Sequence, residues 1–183
     1  MIVAVGGPPG SGKTTAADLY ARTFGGVFVS GGRMFREMAA EHGLDLVAFG
    51  AYAEKHHEMD RQLDGMILSA VRNAALGGRD VVVDGRIQAH LLARAGIPAF
   101  AVLITAPLDV RAKRVADREG KSEKAALDEI LARERSERAR YWAIYDIDLE
   151  DVGVFDLEID SSKLRPEAIV KRIREAAIAW GGK

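Results

Sequence analysis

"GPPGSGKT", residues 7–14, is the stretch on which the fold of this 183-residue chain turns. It matches G-x-x-x-x-G-K-[S/T], follows the apolar run "IVAV" (2–5) and precedes a segment of helical pattern at 12–23. Strand, glycine-rich turn and helix in that order are the context of a phosphate-binding loop. The residue types suit the task. Gly7, Gly10 and Gly12 let the backbone take positive φ and bring its N–H groups against phosphate oxygens. Lys13 is placed to bridge β- and γ-phosphates, the Thr14 hydroxyl to coordinate Mg²⁺, and the helix N-terminus to add partial positive charge.

Outward from the loop, short apolar runs alternate with helical stretches. "VFVS" (27–30), "VVVD" (81–84), "AVLI" (101–104) and "DLEID" (156–160) join "IVAV" as strands. The middle three are apolar on consecutive positions, as expected in a parallel sheet covered on both faces. Helical patterns fall near 33–42, 58–76, 88–95, 108–118, 123–145 and 166–179, the last opening at Pro166 and closing on Gly181-Gly182. The order predicts an α/β fold, a doubly wound five-stranded parallel sheet with right-handed crossovers. Residues 31–80 and 105–155 exceed what a single crossover helix requires, so both are expected to hold covering or substrate-binding segments.

The totals narrow the partners. With 26 Lys+Arg against 27 Asp+Glu the formal net charge is −1, against a nucleic-acid partner held by a basic face. No cysteine is present, so disulfides and thiolate metal sites are excluded. The N-terminus reads as a buried strand rather than a signal peptide, and no run approaches the ~20 apolar residues of a membrane span. A single cytoplasmic domain, 1–183, acting as a monomer without membrane partners is expected.

Two further features concern chemistry. "VVVDGR" (81–86) ends a buried strand on Asp84, where open α/β sheets bind ligands; Asp84 is a candidate carboxylate near Mg²⁺ or its waters, and Arg86 a candidate for a phosphate. Guanine-binding switches carry Asn-Lys-x-Asp, which does not occur here. Arginines then cluster twice. Arg111, Arg114 and Arg118 follow helical spacing close to one face. In "RERSERARY" (133–141), at 100° per residue, Arg133 and Arg140 fall within about 20° of each other beside Ile130, Tyr141 and Ile144. Arg135 and Arg138 fall elsewhere, and Arg138 can pair with Glu134. Arg133 and Arg140 are therefore expected to clamp anions, and Arg135 and Arg138 to form surface ion pairs. Phosphoryl transfer would need such charge, since catalysis there is mainly positioning and neutralisation.

These strings, together with "VSGGRMFREMAAEHG" (29–43), "APLDVRAKR" (106–114), "RERSERARYWAIYDID" (133–148) and the closing "DLEID", resemble the archaeal-type cytidylate kinases among nucleoside-monophosphate kinases. The resemblance covers nearly the whole chain. It implies transfer of the ATP γ-phosphoryl group to CMP or dCMP with Mg²⁺. It further implies that Gly7, Pro8, Pro9, Gly10, Ser11, Gly12, Lys13, Thr14 and Thr15 hold ATP, with Arg114 and Arg118 reaching it from a lid at about 115–135. Ser30, Gly31 and Arg36 would serve the monophosphate pocket, Asp60 and Asp64 its insertion at about 31–78, and Arg86, Arg133 and Arg140 the acceptor phosphate. One departure stands out. Relatives often read "GRLAGW" where this chain has "GRIQAH" (85–90), so the wall near the acceptor base is expected to differ.

The residues alone leave three alternatives: the same machinery on AMP or UMP, on a small alcohol such as shikimate, or a non-catalytic nucleotide-dependent switch. His56 and His57 are expected at the surface. His90 is a lesser candidate for the base, and Phe35, Phe49, Trp142 and Tyr145 are expected in packing.

Overall fold

The computed structural model describes residues 1–181. Five strands, β1 (Ile2–Gly6), β2 (Val27–Ser30), β3 (Val81–Gly85), β4 (Phe100–Thr105) and β5 (Leu157–Asp160), form one parallel sheet in the order β2-β3-β1-β4-β5. The doubly wound α/β sheet expected from the alternation of elements is the fold observed. The central strands are β3, β1 and β4, and all of β1 and β3 is buried. "VFVS" is not covered along its whole length as its apolar run implied. It is an edge strand, with Val27 and Phe28 partly exposed.

Helices cover both faces. α1 (Lys13–Phe24) and α8 (Pro166–Gly181) bury Ala17, Tyr20, Ile169 and Ile173 against one face. α2 (Gly31–Glu41), α3 (Leu46–Ala53), α4 (Glu58–Leu76) and α5 (Gln88–Arg94) bury Met38, Phe49, Ile67 and Leu92 on the other. The α8 closure falls partly on Gly182, outside the described residues. α6 (Leu108–Glu119) and α7 (Glu123–Tyr145) pack on each other through Val115, Ala126 and Ile130. Helix α3 is absent from the periodicity reading, because "LVAFGAYA" is apolar nearly all round. Its start is nonetheless marked, since Asp45 Oδ1 accepts the Ala48 N–H at 2.8 Å.

Register sets the site. Asp84 pairs with Val5 on one side and Ser30 on the other, and Gly6 pairs with Gly85. The phosphate loop, Ser30 and Asp84 therefore emerge at one edge, the carboxyl ends of the strands.

Candidate active site

The loop after β1 borders a cavity of about 420 Å³. Gly10, Gly12, Lys13 and Thr14 form its floor, and Arg114 and Arg118 reach it from α6. The three glycines have φ of 146°, 80° and 87°. At Gly7 space is also limiting, because a Cβ there would stand 2.1 Å from the Ile104 carbonyl oxygen. Lys13 Nζ donates to the Pro8 carbonyl at 3.3 Å. Burial, with Arg86 adding to it, pushes the Lys13 amine down to about 8. The far end of this cavity comes from residues the motif search did not single out. Ser161, Leu164 and Arg165 follow β5, and Pro166 and Ile169 open α8. Position at a strand's carboxyl end was the available signal. Ser161 Oγ donates to the Ser11 carbonyl at 2.7 Å, and Arg114 donates to Ser161 Oγ at 2.9 Å and to its carbonyl at 2.7 Å.

A second, smaller cavity of about 50 Å³ adjoins the first. Gly31, Gly32 and Phe35 supply one wall, Arg86 and Gln88 another, and Arg133, Glu137, Arg140 and Tyr141 project from α7. Lys13 and Arg133 line both cavities. Two spaces thus share a lysine and a guanidinium.

The α7 arginines divide as helical geometry predicts. Arg140 is only 2% exposed and Arg133 lies in the cavity walls, while Arg135 is exposed and the Arg138 side chain is 58% exposed. The expected Arg138–Glu134 pair does not form. Arg138 meets Glu150 at 2.6 Å, and Glu134 is taken by Arg111 at 2.7 Å. Arg111 does not join Arg114 and Arg118 at the cavity. Buried, it donates to the Ala106 carbonyl at 3.0 Å and to the Pro9 carbonyl at 3.1 Å. Among the described residues Arg135 has no ion pair.

Glu137 is the residue the sequence reading missed. Its carboxylate meets Arg86 Nε at 2.5 Å and stands 3.9 Å from Arg133. Burial pushes this carboxyl up, but Arg86, Arg133 and Lys13 outweigh it and hold it below the usual carboxylate range. Its place four residues after Arg133 and three before Arg140, on one helix face, was the legible signal.

Asp60 and Asp64 lie beneath the smaller cavity rather than in its wall. Asp60 is 3.2 Å from Arg140 Nε, and burial raises its pKa against that charge. Asp64 accepts from Tyr145 Oη at 2.8 Å and from Gln88 Nε2 at 3.2 Å, and burial pushes it up to about 7. Ser30 caps α2, its Oγ accepting the Arg33 N–H at 3.3 Å, and Gly31 lines the smaller cavity. Arg36 lines the larger cavity, not the smaller, and bonds back to the Gly32 carbonyl at 2.9 Å. His90 does not line the smaller cavity but lies edge-on to Phe155, with ring centroids 5.8 Å apart. Phe49 is core as expected, and Phe35 is a cavity wall under the Arg140 guanidinium. Trp142, expected in packing, is 58% exposed.

For a cation the donors are oxygens. Thr14 Oγ1 donates to Asp84 Oδ2 at 2.5 Å, while Asp84 Oδ1 is buried and has no hydrogen-bond partner among the described residues. A hydroxyl and a carboxylate with one orphaned oxygen, beside a phosphate loop, suit a hard ion such as Mg²⁺. Among the described residues no cluster of three His, Cys, Asp or Glu is present.

A P-loop sheet with two cationic cavities meeting at the strand ends defines a protein built to bring phosphate groups together. The chain belongs to the cytidylate kinase-like family, whose model matches residues 2–163. It is 40% identical over 177 residues to the cytidylate kinase of Methanocaldococcus jannaschii, covering 96% of this chain and 97% of that one. It is 43% identical over 179 residues to the cytidylate kinase of Haloquadratum walsbyi, covering 98% and 90%. In fold it is similar to an uncharacterized protein from Eubacterium ventriosum (TM-score 0.70, 20% identity, 96% and 97% covered). A putative kinase from Chloroflexus aurantiacus is similar too (TM-score 0.64, 18% identity, 97% and 96% covered).

Proposed function

We propose that the protein transfers the γ-phosphoryl group of ATP to CMP or dCMP, giving ADP and CDP or dCDP. The observation that carries this is the sharing of Lys13 and Arg133 between the two cavities, supported by full-length likeness to cytidylate kinases. ATP would occupy the larger cavity, with its phosphates on Gly7 to Thr15 and its base toward Leu164, Pro166 and Ile169. The acceptor would occupy the smaller, its phosphate between Arg86 and Arg133. An oxygen of the acceptor phosphate attacks the γ-phosphorus as the bond to the β-phosphate oxygen breaks. A phosphate monoester is largely ionised near neutral pH, so no general base is needed.

The obstacle is repulsion between two anions. Unit charges about 4 Å apart at an effective dielectric of ~20 repel by about 4 kcal/mol. Arginine, planar and permanently charged, is the suited counter-charge. Glu137 then acts as a spacer, fixing Arg86 without neutralising the whole group. Mg²⁺, held by Thr14 and by Asp84 directly or through water, would supply further charge at the β- and γ-oxygens. Segments 31–78 and about 115–135 would cover the two substrates and exclude water, which competes as an acceptor. We take the protein to act as a monomer, with the cytoplasm as its place of action.

A coupled assay of ADP formation with CMP, dCMP, UMP, AMP and GMP tests the proposal. Turnover is expected with the cytidine nucleotides. Its absence with both rejects the assignment.

A further inference from the structure

We infer that Gln88 reads the base edge of the acceptor and selects cytosine over uracil, its amide locked in one sense by the Ile87 N–H and the Asp64 carboxylate. The inference rests on the proposed pyrimidine acceptor in the smaller cavity. Among the described residues lining that cavity, Gln88 carries the one side-chain amide; the charged groups there are Lys13, Arg86, Arg133, Glu137 and Arg140. Those charges suit a phosphate. A neutral base edge, with donor and acceptor side by side, is matched by an amide.

An amide can ordinarily be turned over, exchanging its N–H₂ and C=O ends. Here it is held. The Ile87 backbone N–H, which can only donate, meets Gln88 Oε1 at 3.2 Å, and Gln88 Nε2 donates to Asp64 Oδ1 at 3.2 Å. Tyr145 in turn holds the other Asp64 oxygen at 2.8 Å. The backbone makes room for this placement. A Cβ on Gly85 would lie 1.7 Å from Gln88 Oε1, so the amide can occupy this position only beside glycine. On the other side, a Cβ on Gly31 would stand 3.5 Å from Gln88 Nε2.

With one bond made at each end, the amide retains one N–H and one oxygen lone pair. Cytosine presents an amino donor beside the N3 acceptor; uracil presents a carbonyl acceptor beside the N3 donor. The two edges are reversed. An amide of fixed sense, facing a base fixed by its ribose and phosphate, therefore accepts one order and opposes the other.

The test is kcat/KM for CMP and for UMP at saturating ATP in the full chain, native and Gln88→Met, a change that keeps length and removes both hydrogen-bonding ends. The CMP/UMP ratio is expected to fall by roughly 10- to 100-fold, mostly through KM for CMP, with KM for ATP changed less than twofold. Should Gln88→Met not fold, as judged by its melting curve, Asp64→Asn at pH 8, where Asp64 is ionised, decides: it replaces the carboxylate that accepts from Gln88 Nε2 with a group that can also donate, and the ratio should fall several-fold. A ratio unchanged within twofold in a folded variant, an equal loss for both nucleotides, or a native ratio near one overturns the inference while leaving CMP phosphorylation intact. A native protein inactive on both nucleotides instead sinks the proposed function and this inference with it.

Discussion

The two cavities proposed for donor and acceptor adjoin, yet they are built from different materials. The donor side is mostly backbone: a glycine loop with three positive φ angles, a helix start, and carbonyls of Pro8, Pro9 and Ser11 tied down by Lys13, Arg111 and Ser161. The acceptor side is mostly side chain, a set of buried charges in which Arg86 faces Glu137 and Arg140 faces Asp60. Backbone sites are specified by conformation and tolerate change at most neighbouring positions. Side-chain sites are specified by pairing, so each member depends on another from a distant part of the chain. The acceptor half should therefore be the more fragile to single substitutions in stability, and the donor half in turnover.

Lys13→Ala gives the sharpest test of the donor half. Turnover should fall by at least ~10²-fold, as loss of a preorganised charge does, with little change in the melting temperature. Arg140→Ala should do both kinds of harm, because it leaves Asp60 buried without its counter-charge. Breaking such a pair costs about 3–5 kcal/mol, readable as a drop in the urea midpoint alongside lost turnover. Glu137→Gln should raise KM for CMP more than KM for ATP, since it frees Arg86 but leaves the glycine loop untouched. Equal rises would erase the distinction between the two halves.

A pH series offers a finer comparison. Asp64 holds its proton up to about 7, above the ordinary value of 3.8, so between those values the folded protein binds more protons than the unfolded chain. Stability from this group is full below pH ~4 and is lost as pH rises toward 7. Asp64→Asn should flatten the slope of urea midpoint against pH over that window, whereas Lys13→Ala should leave it unchanged. Smallest of all, Arg135→Ala should alter turnover less than twofold and stability by no more than about 0.5 kcal/mol. A large effect there would undo the division of α7 into two faces.

Legibility followed the same contrast. The phosphate loop, Asp84 and the sheet could be read from local pattern, because strand, turn and helix are each decided within a few residues. Arg133 and Arg140 could be separated from Arg135 and Arg138 by counting degrees around one helix. What could not be read is pairing across the chain. Nothing near Glu134 indicates that Arg111 will claim it, and nothing near Asp64 announces Tyr145, 81 residues away. Trp142 misled for a related reason: its apolar size suggests packing, but its side of α7 faces away from the core. Helix α3 escaped because a short helix apolar on every side leaves no periodic trace, though Asp45 marked its start.

Arg111 ties three parts of the molecule with one guanidinium: the turn after β4 at Ala106, the phosphate loop at Pro9, and α7 through Glu134. A helix that slides or tilts with the acceptor must pull on this crosspiece, and the loop beneath the triphosphate feels the tug. Any shift of α7 would therefore reach the phosphate loop through a single side chain.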